Sequence, residues 1–404
     1  MSGGGREGAD ESALGVVWHG RGVRGADVVA ALAANRPREA APPASDGDRM
    51  APPAQLRASS LTLVVFAPSL AERARAGRTV AHVAGRHPAR VILVGPDPEA
   101  SADGIDARIR VEGQARAGAP VVRYEELTLG MRRVSSRHLA SLVGALLVEE
   151  LPVFLWHMGV LPWGPTWQAA WAENVDRLIV DSGATESPLD DLEALAAFSA
   201  AEVPFGVGDM SFARLRPWRL GLAEIFQPRA RRRLIERIEG VEIAYPAGPE
   251  AAVPAVGALL LAGWLAARLG WGRARAGGTD YAVCERVGGD VRLVFSPVEE
   301  GAGGLMRSGV GGVTLYVRGL NEGTPGVIAL DPAPDGLAWS ESAAGAAGRI
   351  VVDAVDDADA LAQNLDLAPD PVFDESLARA AEISRALRRA VEQSAEGSDP
   401  DAWS

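Results

Sequence analysis

The chain has 404 residues, 48% apolar and 23% charged, the balance of a polypeptide that buries large cores over two or three domains and is neither disordered nor fibrous. Fifty-three acidic against forty basic residues leave a net charge of −13, which repels phosphate backbones and excludes a general binder of nucleic acid or anionic membrane. All forty basic residues are arginine, so no Schiff-base or P-loop lysine exists, and the lone Cys284 excludes an intrachain disulfide and every multi-cysteine metal centre.

The start of the chain lacks the basic and then apolar stretch of a secretory signal, and with a single cysteine this predicts a cytoplasmic protein. Gly20-Arg-Gly22-Val-Arg-Gly25 matches the dinucleotide pattern G-x-G-x-x-G. The acidic strand end needed about twenty residues later to hold a ribose falls instead in a proline-rich linker over 36–56, so no cofactor is predicted. From Ser59 the pattern reads strand, helix, then three strands, ending near Arg132. A helix follows from Ser136 with Leu139, Leu142, Val143, Leu146 and Leu147 on one face. Three short strands come next: VFLW, RLIVD and VPFGV, separated by helical stretches. Strands alternating with helices predict parallel pairing in a covered sheet.

Residues 209–237 read as helical, interrupted by Pro217 and Pro228. From Gly240 follow strand VEIAY, a helix over 256–269, and the strands YAVCERV, VRLVFSP and VTLYVRG. Ala251 to Ala267 carries no charge, but Pro254 and its short length favour a core helix over a membrane span. The tail from Phe373 places Leu377, Ala380, Ile383, Leu387 and Val391 on one face of an amphipathic helix. The expected fold is α/β: a mainly parallel sheet domain with flanking helices, a helical bridge, and a second, smaller, β-rich α/β domain. Its boundaries are an N-terminal arm and linker over 1–55, the α/β domain over 56–208, the bridge over 209–239, the second domain over 240–370, and the helix and tail over 371–404.

The five histidines have no metal-ligand spacing and no G-x-S-x-G elbow occurs, so no catalytic or metal residue is nominated. Topology is more informative, because parallel α/β sheets gather functional groups beyond the carboxyl ends of their strands. Three such ends carry Trp156-His157, Asp181-Ser182 and Gly208-Asp209, and Trp163, Trp167 and Trp171 follow the first, either as exposed anchors or as cover for the sheet. Charge is uneven as well. Eight arginines face four acids between Val207 and Gly240, whereas fourteen acids face five arginines from Glu341 to Ser404. A basic bridge in an acidic protein suits an acidic partner surface or a phosphate, unless it is only a solvated arginine face.

Taken in order, HPARVILVG (87–95), LPVFLWHMG (151–159), DRLIVDSG (176–183), DMSFARLRPWRLGLAEIF (209–226) and LLLAGWLAARLGW (259–271) resemble the OpcA family of glucose-6-phosphate dehydrogenase assembly proteins. The resemblance covers roughly 56–320. It implies a non-catalytic effector that binds glucose-6-phosphate dehydrogenase, favours its active oligomer and activates it, with neither nucleic acid nor membrane as partner. The matched positions nominated as partner contacts, or as the scaffold behind them, are Trp156, His157, Asp181, Ser182, Asp209, Arg214, Pro217, Trp218 and Arg219. The chain departs from the family pattern at Ser211-Phe212, where Asn-Trp is expected, and at Leu220, where a glutamate is expected. The alternative reading is a phosphosugar-binding enzyme or sensor with its site at the strand ends.

Overall fold

In a computed structural model, residues 15–34, 60–84, 86–114, 122–132, 136–147, 151–160, 163–201, 203–247, 254–299, 304–318, 326–366 and 370–396 are described. The chain divides into two units, Met1–Met158 with Gly164–Leu178, and Gly159–Trp163 with Ile179–Ser404.

The first unit contains β1 (Gly15–Val23), α1 (Gly25–Ala34), β2 (Leu61–Phe66), α2 (Leu70–Val83), β3 (Ala89–Pro96), β4 (Ile105–Gln114), β5 (Val122–Met131), α3 (Ser136–Gly144), β6 (Val153–His157) and α4 (Pro165–Trp171). The strand order is β1-β4-β5-β3-β2-β6, followed by the first residues of β7 (Arg177–Val180). Here β2 pairs in parallel with β3 and β6, as the alternation of strands and helices predicts, and β3 pairs in parallel with β5, which it reaches through β4, antiparallel to β5. Strands β2, β3 and β6 are mostly apolar, interrupted by Thr62 and Arg90 and ended by His157, because both faces of each are covered, whereas β5 carries Glu125 and Glu126.

Ser69 is the N-cap of α2, accepting from the Glu72 amide at 3.2 Å and donating its hydroxyl to the Glu72 carboxylate at 2.9 Å. The stretch expected as an N-terminal arm instead supplies β1, an edge strand antiparallel to β4. Gly20 lies inside β1 and Gly25 opens α1, so the glycine pattern sits on an antiparallel edge rather than at a parallel β-to-α turn. The proline-rich linker lies outside the described residues.

In the second unit the last residues of β7 lie beside β8 (Gly206–Asp209), with α5 (Pro188–Ala200) between them in sequence. The expected helical bridge is broken into α6 (Met210–Arg214), α7 (Arg216–Ile225) and α8 (Arg229–Arg232). Pro217 occupies the first turn of α7, where its missing amide hydrogen costs nothing, and Pro228 caps α8.

Beyond these lie β9 (Ile238–Pro246), α9 (Val256–Arg268), β10 (Ala274–Ala276), β11 (Tyr281–Cys284), β12 (Val291–Val298) and β13 (Gly312–Val317). They are followed by β14 (Gly326–Ala333), β15 (Gly336–Glu341), β16 (Ala346–Val351), α10 (Asp357–Asp366) and α11 (Pro371–Glu396). The second sheet runs β10-β11-β12-β9-β13-β14-β15-β16. Only β9 and β12 form a parallel pair, the crossover between them including α9, and the other neighbours are antiparallel. The body expected as the smaller one therefore carries eight strands, because β14 to β16 add a meander whose alternation is weak in sequence.

Helix α9 is apolar all round because nearly all of it is buried, and among the described residues no helix is long and apolar enough to cross a membrane. Leu377, Ala380, Ile383 and Leu387 of α11 are buried as its periodicity predicts. Helix α11 is also tied to α5 by Ser384 to Glu193 at 2.9 Å, Asp374 to Ser199 at 3.0 Å and Arg388 to Asp190 at 2.5 Å. A Cβ on Gly263 would lie inside the van der Waals envelope of the Ser376 carbonyl oxygen, so this glycine sets the closest approach of α9 to α11. Gly263→Ala is expected to force the two helices apart at a cost of about 2–3 kcal/mol, read as a lowered urea midpoint.

Candidate functional site

Asp209 ends β8 and caps α6, so one carboxylate joins the sheet to the helix that follows. It accepts from the Ser211 amide at 2.9 Å, the Ser182 amide at 3.1 Å and the Ser182 hydroxyl at 2.6 Å. Ser211 donates its hydroxyl to Asp181 at 2.7 Å and accepts from the Gly183 amide at 3.0 Å. Arg214, one turn on, meets Asp181 with both fork nitrogens at 2.8 Å and Asp357 of α10 with one of them at 2.8 Å. The ends of β7 and β8 and the starts of α6 and α10 are thus laced together by one network, in which Asp181, Ser182, Asp209 and Ser211 are buried.

Burial, reinforced by the Asp181 charge, pushes the Asp209 carboxyl up to about 6, against the opposing bonds from Ser182 and Ser211. For Arg214 burial acts to lower the pKa, but the bonds and charges of Asp181 and Asp357 outweigh it and hold the guanidinium above its ordinary value. Asp181 is therefore answered by a cation that does not titrate. In sequence Asp356-Asp357 marks only a helix start; the role of Asp357 as second partner of Arg214 depends on a pairing 143 residues apart, which no local pattern signals.

Trp218 of α7 is fully buried and donates its indole N–H to the Ser308 hydroxyl at 3.0 Å, which in turn donates to the Leu305 carbonyl at 2.7 Å. Pro217 is buried beside it. Arg219 is half-buried with its guanidinium carbon 4.0 Å from the centre of the Phe212 ring, and Phe212 lies 5.2 Å from Phe373. Burial brings the Arg219 pKa down to about 10, with Asp370 opposing and Arg216 assisting. The substituted Ser211 and Phe212 thus have defined places: the hydroxyl serves Asp181 and Gly183, and the ring carries Arg219.

The remaining two candidates belong to the first unit. Trp156 is fully buried in β6, and His157 lies between Phe66, with ring centres 4.6 Å apart, and Trp167 at 5.9 Å. Burial drops the His157 pKa to about 4. Among the described residues, Nε1 of Trp156 and Nδ1 of His157 have no hydrogen-bond partner. Trp167 and Trp171 are buried, and in the second unit Trp163 donates to Asp191 at 3.0 Å and leans on Phe198 at 5.2 Å. These indoles cover apolar surface and do not stand out as anchors. The described residues contain no group of three or more His, Cys, Asp or Glu side chains able to hold a metal ion.

His157 and Asp209, the two of these groups that titrate between the acid range and neutrality, oppose each other in pH. Folded His157 refuses a proton that the unfolded chain takes up, so its contribution is complete above about pH 6.5 and is lost as pH falls toward 4. Folded Asp209 keeps a proton that the unfolded chain releases, so its contribution is complete below 3.8 and is lost as pH rises through 6. Each amounts to about 3 kcal/mol. Asp209→Asn is therefore expected to steepen the loss of stability between pH 6 and 4 by about 2 kcal/mol relative to wild type, measured by urea midpoints.

Residues 80–197 match a family model described as the N-terminal domain of a glucose-6-phosphate dehydrogenase subunit, and residues 205–377 match one described as the C-terminal domain of that subunit. The chain is 27% identical over 203 residues to a protein named OpcA from Synechocystis sp., covering 47% of this chain and 38% of that protein. It is 29% identical over 196 residues to another named OpcA from Nostoc punctiforme, covering 48% of this chain and 40% of that protein. The chain thus spans about two fifths of the length of these relatives. Among solved structures it is similar to an oxidoreductase from Sinorhizobium meliloti (TM-score 0.46, 14% identity, 83% of this chain, 98% of that one). An NAD-binding oxidoreductase from Klebsiella pneumoniae gives a TM-score of 0.46 at 12% identity, covering 83% of this chain and 98% of that one.

Proposed function

Because the chain belongs to the OpcA family, we propose that it binds glucose-6-phosphate dehydrogenase as a non-catalytic assembly protein, favours the active oligomer and raises its activity in the oxidative pentose phosphate pathway of the cytoplasm. The observation that carries this is the pair of family matches, in order, over residues 80–197 and 205–377.

The polar network supports a scaffold role for the nominated residues. Asp181, Ser182, Asp209 and Arg214 spend their bonding capacity on one another, on Ser211 and on Asp357, and so tie α6 and the start of α10 to the strand ends. A phosphosugar would have to draw Arg214 away from two carboxylates, and the nearby acids repel its phosphate. Pro217 and Trp218 hold α7 from within, Trp156 and His157 are built into β6 in the same way, and Arg219 on the half-exposed side of α7 is the nominated residue best placed to meet a partner.

Tighter binding to the substrate-competent or oligomeric dehydrogenase than to its idle form shifts the population between them. A coupling of about 1–3 kcal/mol changes apparent substrate affinity from about fivefold to about a hundredfold. The test mixes the chain with the cognate dehydrogenase, follows the assembly by light scattering, and measures NADP reduction against glucose 6-phosphate concentration. The expected result is a larger complex and a lower half-saturating substrate concentration. Turnover of a metabolite by the chain alone, tight calorimetric binding of glucose 6-phosphate without the dehydrogenase, or no change in the dehydrogenase's assembly and kinetics would overturn the proposal.

A further inference from the structure

The scaffold network ends with Arg214 of α6, and the far end of α7, the next helix, opens onto a groove that the network does not use. The groove has a volume of about 310 Å³ and is lined by apolar side chains, among them Leu222, Ala223, Phe226, Ile235 and Trp264. Its charged groups are Arg232 and Arg268, both exposed. Arg229 and Arg233, on and just after α8, are exposed as well. Arg231 is spent on the chain itself, 3.7 Å from Glu341 and 4.3 Å from the centre of the Trp339 ring. Among the described residues no ion pair holds Arg229, Arg232, Arg233 or Arg268, although Glu224 and Glu236 lie on the same stretch.

We propose that this groove docks an acidic amphipathic segment of a partner protein. Two or three aliphatic or aromatic side chains enter the groove, and flanking aspartate or glutamate residues meet Arg232 and Arg268. Charge commits the choice of occupant. With a net charge of −13 the chain as a whole repels an acidic segment, so one settles where an apolar recess coincides with arginines that no acid among the described residues engages, Arg232 donating to the Gln227 carbonyl at 3.0 Å. A small polar metabolite finds few donors or acceptors in the recess. The partner's identity as glucose-6-phosphate dehydrogenase rests on the function proposed above; the chemistry of the segment does not.

Two variants test the assignment with the full chain and the cognate dehydrogenase. Ala223→Arg fills the groove, and Arg232→Glu with Arg268→Glu reverses its charges. All three positions are exposed, so thermal stability stays near that of wild type. Each variant is expected to raise the Kd of the complex at least about tenfold by light scattering, and added salt is expected to weaken the wild-type complex more than the charge-reversed one. If wild type binds and both variants bind equally well, the docking assignment falls while the proposed function stands. Failure of wild type itself to bind removes both. Oleate binding that Ala223→Arg abolishes, with the complex unaffected, would make the groove a lipid site and also overturn the assignment.

Discussion

Replacing Arg214 with methionine is expected to destabilise the second unit by about 3–5 kcal/mol, a large effect for a single substitution. The cost comes less from the attraction that is lost than from the charge left behind. Asp181 keeps only 8% of its surface exposed, and without the guanidinium its carboxylate retains the Ser211 hydroxyl but loses the two parallel bonds that answer its charge. Arg214→Lys preserves a positive charge but not those two bonds, so it should fall between methionine and wild type. Pairing Arg214→Met with Asp181→Asn removes both charges and is expected to recover about 2–3 kcal/mol of the loss, because neutral groups of similar shape tolerate burial. Urea midpoints of the two single variants and the double variant give the coupling directly. A double variant no more stable than Arg214→Met would mean that the pair does not hold α6 to the strand ends.

How much of this is legible in sequence follows from how local each feature is. The strands of the first sheet announce themselves as aliphatic runs such as LTLVVF and ARVILVG, and α11 by its spacing of Leu377, Ala380, Ile383 and Leu387, because burial on both faces or on one stripe imposes those patterns directly. The strands β14 to β16 escape notice although Pro334-Asp335-Gly336 marks a tight turn, with Gly336 at φ 136°, because alanine and glycine dilute their alternation. Strand β1 is legible as the short apolar stretch LGVVWH before the glycines, but its place as an edge strand beside β4 depends on a distant pairing that no local pattern signals. At the site, Asp181, Ser182, Asp209 and Arg214 can be nominated from strand ends and from resemblance, but not the direction in which they point. Trp218 can be nominated in sequence only as a partner contact or as the scaffold behind one, since its neighbours Pro217 and Arg219 do not decide between the two. The structure turns it inward because Gly221, Leu222 and Ile225 lie on the same buried side of α7.

Trp218 therefore gives the sharpest separation of scaffold from contact. Its ring is fully buried, and truncation in Trp218→Ala is expected to cost about 3–5 kcal/mol through lost burial and the cavity left behind. Trp218→Phe keeps most of the apolar volume, and the Ser308 hydroxyl still has the Leu305 carbonyl to donate to, so the cost should be only about 1–2 kcal/mol. Ser308→Ala leaves the indole N–H buried with no acceptor and should cost about 1–3 kcal/mol. The functional readout then divides the two roles. Leu222 and Ala223 lie about one turn further along α7, so a collapsed Trp218→Ala site displaces the groove and weakens the dehydrogenase complex, whereas Trp218→Phe holds the helix in register and should stimulate the dehydrogenase as wild type does. Light scattering and NADP reduction at matched folded concentrations measure both. Full stability of Trp218→Phe with complete loss of stimulation would show that the indole itself touches the partner, and the inward-facing assignment of this tryptophan would be wrong.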